Sequence, residues 1–138
     1  MACRDAGREA GFFNRDGEPP PGLPANIELH IGWFERTVPA FAAIQAAKAA
    51  PGAVGALGFV HVDCDLYSST MEVLGGLQAK GLLGPGTVVV FDEWSGYPGA
   101  AEHEPKAWAE HAATHLLAWE WIELPGGPEP ASRALKLL

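Results

Sequence analysis

The spacing of hydrophobic and polar positions changes along the chain, and each spacing predicts a different element. Residues 26–31 (NIELHI) carry apolar side chains at every second position, which predicts a half-buried strand. Residues 35–50 are rich in alanine, with larger apolar side chains at steps of three. That spacing predicts a helix, and Pro39 suits its first turn because proline lacks the N–H that a helix start leaves unpaired.

Two short apolar runs follow, and both predict buried strands. Residues 57–62 (LGFVHV) and 87–91 (TVVVF) are apolar with β-branched side chains, as is typical of strands covered on both faces. Between them, Ser69 and Glu72 have the spacing of a capping box, in which each side chain bonds the other residue's backbone N–H. The pattern therefore predicts a helix from Ser69 to about Lys80.

The C-terminal part predicts one more helix and two strands. Pro105 begins a helical pattern of about 12 residues. Residues 117–124 and 131–138 predict two strands, which are antiparallel if they form a hairpin. Strands and helices thus alternate, which predicts an α/β fold with a parallel sheet, right-handed crossovers and helices on both faces. Ligands of such sheets bind at the carboxyl ends of the strands.

Composition narrows the class of protein. The 138 residues carry a net charge of −8, which argues against nucleic acid or an anionic membrane as a partner. No apolar run is long enough to span a membrane, the N-terminus does not resemble a signal peptide, and the two cysteines fit a reducing compartment. We therefore expect a cytoplasmic protein. Because of its prolines, residues 1–25 are predicted to be an irregular N-terminal segment, followed by one domain over 26–138.

Acidic side chains follow both predicted central strands. Asp63 and Asp65 come after the first strand, and Asp92 and Glu93 come after the second. If the strands are neighbours, their ends lie roughly 5 Å apart, and carboxylates at that range demand a cation or raise one another's pKa. Mg²⁺ held by oxygen ligands is the natural cation. The alternative is that such acids cap helices and form turns, which explains Asp65 most easily.

Several segments around these acids resemble one enzyme family. HVDCDLYSST (61–70) and GTVVVFDE (86–93), with IGWFERTVPAF (31–41) upstream, resemble the S-adenosylmethionine-dependent O-methyltransferases of the macrolide-sugar (macrocin) type. GYPG (96–99) and EHEPKAWAEH (102–111) are also similar to family segments, so that the resemblance covers roughly residues 11–124. It implies a Rossmann-like methyltransferase fold, S-adenosylmethionine and Mg²⁺ as cofactors, and methyl transfer to a hydroxyl of a sugar-like or polyol small molecule.

The resemblance also implies roles for individual residues. Asp63, Asp92 and Glu93 match the family's metal-binding acids, although Glu93 stands where Asp or Asn is commoner. Asp65 or Tyr67 would help to deprotonate the acceptor hydroxyl. The positions expected to contact S-adenosylmethionine are Gly32, Trp33, Phe34 and Asp63.

The chain lacks the family's strand–glycine–helix unit, whose backbone amides hold the cofactor. It therefore resembles a partial sheet, from the family's third to its seventh strand, without the first two. Strand 57–62 then has an unpaired edge, and strand 26–31 either pairs with that edge or stays unpaired. An exposed edge predicts a homo-oligomer or another edge-strand partner.

Two other functions remain open. The chain is a non-catalytic, truncated domain of the methyltransferase fold if the missing glycine loop abolishes cofactor binding. An apolar strand followed by Asp-x-Asp also occurs in metal-dependent glycosyltransferases and phosphohydrolases. The phosphohydrolase pattern requires Thr or Val where this chain has Tyr67, so that function is weakly supported.

Overall fold

The computed structural model describes residues 15–48, 55–123 and 131–138, and these residues form a mixed α/β fold. Among them, none of the helices has both the length and the hydropathy needed to cross a membrane. The elements are α1 (Phe34–Lys48), β1 (Phe59–Val62), α2 (Tyr67–Gln78), β2 (Val88–Phe91), a 3₁₀ turn (Ala100–Glu102), α3 (Glu104–Thr114), β3 (Trp119–Ile122) and β4 (Arg133–Leu137). The two central strands and the two C-terminal strands predicted from the sequence are thereby confirmed.

The four strands form one sheet in the order β1-β2-β4-β3. β1 and β2 are parallel, with Val62 opposite Phe91. β4 is antiparallel to both of its neighbours, as expected for the C-terminal pair. The described sheet is therefore mixed and not fully parallel, because β4 lies between β2 and β3 and runs antiparallel to both.

The buried core lies on one face of this sheet. Val89 and Phe91 of β2 and Leu135 of β4 are completely buried and share one hydrophobic cluster with residues of all three helices. Side chains alternate between the faces of a strand, so Val88 and Val90 lie on the opposite face, where they are only half-buried. The expected helix layers on both faces are therefore not seen among the described residues.

Residues 26–31 do not form the predicted strand. No described strand pairs with them, and Ile27, Leu29 and Ile31 are 46%, 44% and 59% exposed. An alternating pattern produces a strand only where a neighbour accepts its backbone hydrogen bonds, and β1 has no such neighbour on its outer side within the described residues. Of the two expectations for this segment, the unpaired arrangement is the one observed.

Two helix starts also differ from the predicted ones. α1 begins at Phe34, well before Pro39, and the N–H groups of Arg36 and Thr37 donate to the carbonyl of Trp33. α2 begins at Tyr67, so the capping box predicted further along does not form, and the N-cap residue makes no side-chain cap. The chain turns tightly after β1 and enters the helix earlier than the capping pattern indicates.

Candidate active site

A single buried carboxylate joins the ends of β1 and β2. Glu104, the first residue of α3, is 0% exposed. Its Oε1 accepts a hydrogen bond from the N–H of Cys64 (3.3 Å), and its Oε2 accepts one from the N–H of Glu93 (3.0 Å). Each donor lies two residues past the end of its strand. Glu104 therefore fixes the two acidic strand ends relative to each other and to α3.

Burial raises the pKa of Glu104 to about 7, although the two N–H bonds oppose that shift. The negative charges of Asp63 and Asp65 raise it further. A carboxyl group with this pKa changes its charge near neutral pH, so the link between the strand ends is sensitive to pH.

Asp63 and Asp92 lie close enough at this edge of the sheet to interact. Burial raises the pKa of Asp63, the nearby charges of Asp92 and Asp65 raise it further, and His61 lowers it. Asp92 Oδ1 accepts a hydrogen bond from the Ser132 hydroxyl (3.1 Å) and lies 3.6 Å from His61 Nε2. The strand ends therefore form an acidic rim, defined here as Asp63, Asp65 and Asp92 with the neighbouring His61.

The described residues do not assemble a metal site. They include no group of three or more histidine, cysteine, aspartate and glutamate side chains that could hold an ion. Asp92 is oriented by Ser132, and the backbone N–H of Glu93 donates to Glu104. The ligand set of Asp63, Asp92 and Glu93 stays a prediction from the resemblance, and no chemical step below passes through a metal.

The two residues expected to deprotonate a hydroxyl lie in the turn after β1 and at the start of α2. Asp65 has a φ of +58°, the left-handed region that aspartate tolerates, in the turn between β1 and α2. Tyr67 donates its hydroxyl hydrogen to Glu110 Oε2 at 2.6 Å, and this bond raises the pKa of Tyr67. The Tyr67 hydroxyl therefore faces α3, where the bond to Glu110 opposes the loss of its proton.

An apolar groove of about 410 Å³ lies between α1, β1 and α2 and reaches the acidic rim. Two of the residues expected to contact a cofactor line it: Phe34, which begins α1, and Asp63, which follows β1. Trp33 does not line it and is 78% exposed. Gly32 has a φ of +149°, and a Cβ there would approach Thr37 to 3.0 Å, so this glycine allows the sharp entry into α1.

Cys64 is a poor nucleophile. Burial, followed by the charge of Glu104, raises its pKa to about 12. Glu104 itself was not predicted as a site residue, because a charged residue in the first turn of a helix is ordinarily exposed and favours the helix dipole.

The chain is similar in structure to CalS11, a TDP-rhamnose 3′-O-methyltransferase of calicheamicin biosynthesis, whose apo structure is known. The TM-score is 0.55 at 26% sequence identity, over 76% of this chain and 38% of that enzyme. The fold is methyltransferase-like. The chain thus spans well under half of the length of the enzyme that it matches. No protein-family model and no curated protein sequence matches the chain.

Proposed function

We propose that this chain takes part in S-adenosylmethionine-dependent O-methyl transfer to a hydroxyl of a sugar-like or polyol acceptor. The supporting observation is its likeness to a TDP-rhamnose 3′-O-methyltransferase, at 26% identity over 76% of this chain. The acidic rim at the carboxyl ends of β1 and β2 agrees with that chemistry, because ligands of α/β sheets bind at such ends.

The residues that would hold S-adenosylmethionine are Phe34 and Asp63, which line one groove. An aromatic ring suits the adenine base, and a carboxylate suits a positively charged ligand. When bound, this cofactor supplies a methyl group on a cationic sulfur.

Asp63 is the carboxylate that we assign to accept the proton of the acceptor hydroxyl. As the hydroxyl oxygen forms its bond to the methyl carbon, the O–H proton moves to the Asp63 carboxylate. The raised pKa of Asp63 makes it a stronger base than an ordinary exposed aspartate. His61 and Ser132 hold Asp92 beside it, and burial, followed by the negative charge of Asp92, raises the pKa of Asp63.

The proposal is tested by calorimetry and by mass spectrometry on the whole chain. S-adenosylmethionine is titrated into the protein, and transfer of a deuterated methyl group to TDP-rhamnose is then measured. Asp63→Asn should reduce the rate of transfer by about 10²- to 10⁴-fold, because a general base is lost. Glu120→Gln, an exposed change on β3, is the control and should leave the rate unchanged.

The second candidate is a non-catalytic domain of the same fold. It is favoured by the observation that the chain spans 38% of the matched enzyme. The same titration distinguishes the two functions. If millimolar S-adenosylmethionine produces no heat, the catalytic proposal fails and the non-catalytic domain is supported.

A further inference from the structure

We propose that the acceptor is a sugar joined to a diphosphate, and that Arg133, held on the ring of Trp121, binds the diphosphate. This inference rests on the proposed function, since it places the acceptor hydroxyl beside Asp63. It goes further because it names a second group of the acceptor and the residue that recognises it. The site lies on β3 and β4, and none of its residues lines the groove between α1, β1 and α2.

Arg133 and Trp121 form a stacked pair on neighbouring strands of the sheet. The guanidinium carbon of Arg133 lies 5.5 Å from the centre of the Trp121 ring. Arg133 is exposed, and Trp121 is 43% exposed although it belongs to a strand. A guanidinium stacked on a ring keeps the N–H groups in its own plane free to donate, and these match two phosphate oxygens. The pair therefore presents a positive group whose orientation is already set.

Neighbouring tryptophans hold the Trp121 ring in place. Trp94 packs edge-on against it at 5.1 Å, and Trp119 does so at 4.8 Å. Trp94 is itself fixed, because its backbone N–H donates to the Ala131 carbonyl at 2.7 Å. The stacked arginine therefore has less side-chain freedom to lose on binding than an arginine on an open surface, and this favours affinity.

The charge of Arg133 is opposite to the net charge of the protein, which is −8. Lys106, in the first turn of α3, pairs with Glu102 at 3.0 Å. Arg133 forms no such ion pair with any carboxylate of the described residues, and its recorded partner is the Trp121 ring. The acidic rim repels an anionic ligand, so a guanidinium near the rim is the group that offsets this repulsion.

The position of Arg133 relative to the acidic rim selects the length of the ligand. Arg133 lies opposite Phe91, the residue before Asp92 of the rim. Asp63 follows β1, and β2 lies between β1 and β4, so Asp63 and Arg133 are two strand spacings apart, or roughly 10 Å. A phosphate or carboxylate attached directly to the sugar ring is too close to the hydroxyl to reach both residues. A diphosphate chain on the ring spans this distance.

The test compares the binding of two ligands to the whole chain by calorimetry. TDP-rhamnose carries the diphosphate, and methyl rhamnoside carries the same sugar without it. Arg133→Gln should weaken the binding of TDP-rhamnose by about 10- to 100-fold, because charge-assisted hydrogen bonds are lost. Its affinity for methyl rhamnoside should equal that of the wild type.

Lys136→Gln is the matched control, because it removes the same charge from the same strand. Lys136 is exposed and lies opposite Val88, at the end of β2 that is remote from the rim. This variant should change the affinity for TDP-rhamnose by about twofold or less, because solvent screens a charge at that distance.

Methyl transfer separates failure of this inference from failure of the proposed function. Arg133→Gln should raise the KM for TDP-rhamnose and leave kcat unchanged, because it removes binding that the substrate and the transition state share. Equal affinity of the wild type and Arg133→Gln for TDP-rhamnose would overturn this inference and leave the transfer reaction intact. So would wild-type affinity for methyl rhamnoside as high as that for TDP-rhamnose. Absence of methyl transfer by the wild type would instead overturn the proposed function, and calorimetry would still decide whether Arg133 binds the diphosphate.

Discussion

Glu104 shows how one side chain sets the geometry of a site from a position that solvent does not reach. Its two oxygens accept backbone N–H groups from segments that follow different strands. The pairing of β1 with β2 alone would hold those segments less firmly, because each of these strands is only four residues long. This arrangement places the buried Glu104 carboxylate next to the acidic rim. Because burying its charge costs free energy, the free energy of unfolding should depend on pH.

We predict that the wild type loses stability as the pH rises and that Glu104→Gln does not show this loss. The folded-state pKa of Glu104 is raised to about 7 from 4.5, so the stability linked to its protonated form is fully present below pH 4.5. That contribution is lost as the pH rises through 7. Between pH 4.5 and 8 the free energy of unfolding of the wild type should therefore fall relative to the variant, by about 1–3 kcal/mol.

Urea unfolding at a series of pH values measures this difference. Glu102→Gln is the control, since Glu102 lies on the surface two residues away and pairs there with Lys106. A parallel pH dependence in wild type and Glu104→Gln would show that burial does not shift the pKa of Glu104 in the folded protein.

At the scale of elements, the contact between α1 and α2 explains a glycine pair that helix propensity alone disfavours. Gly75 and Gly76 lie inside α2. A Cβ at Gly76 would approach Val38 Cγ1 of α1 to 2.8 Å, whereas a Cβ at Gly75 would meet no atom within 4 Å. Valine is stiff at χ1, so Val38 cannot easily move aside. Gly76 therefore allows the two helices to pack closely, and Gly75 has no such role.

We predict opposite effects of alanine at these two neighbouring positions. Gly75→Ala should increase the free energy of unfolding by about 0.5–1 kcal/mol, because alanine favours the helix. Gly76→Ala gains the same propensity but overpacks against Val38, so it should decrease the free energy of unfolding by about 1–2 kcal/mol. Chemical denaturation of both variants tests this, and stabilisation by both would contradict the close approach of α1 and α2.

The elements that the sequence predicted well are those whose pattern is local. The apolar runs at 57–62 and 87–91 mark β1 and β2, because a short buried strand needs little beyond its own side chains to be recognised. Residues 26–31 have an equally clear alternation, but a strand also needs a partner, which periodicity does not report. Glu104 was missed for a related reason, since its role depends on backbone donors that lie 40 and 11 residues away.

For the whole molecule, the described hydrophobic cluster lies on one face of the sheet, and on the other face the small Ala134 is the one described strand residue that is fully buried. Helix residues such as Leu74 and Trp108 pack with Val89 and Phe91 on one face of the sheet, and this cluster includes no residue of β2 from the other face. The structural neighbour has a longer chain, of which 38% is matched here. A sheet covered on one face buries less apolar surface per residue than a sheet covered on both faces. Each residue on the covered face should therefore supply a large share of the free energy of unfolding.

Two adjacent valines of β2 provide a matched test of this one-sided core. Val89 is 0% exposed and belongs to the core cluster, whereas Val88 is half-buried on the opposite face. Replacement of valine by alanine lowers the β propensity equally at both positions. The difference between the two variants in free energy of unfolding therefore measures the contribution of side-chain packing. Val89→Ala should lower the free energy of unfolding by about 2–3 kcal/mol, and Val88→Ala by about 1 kcal/mol or less. Equal losses in urea unfolding would show that the opposite face is packed as tightly as the first, and the one-sided core would then be wrong.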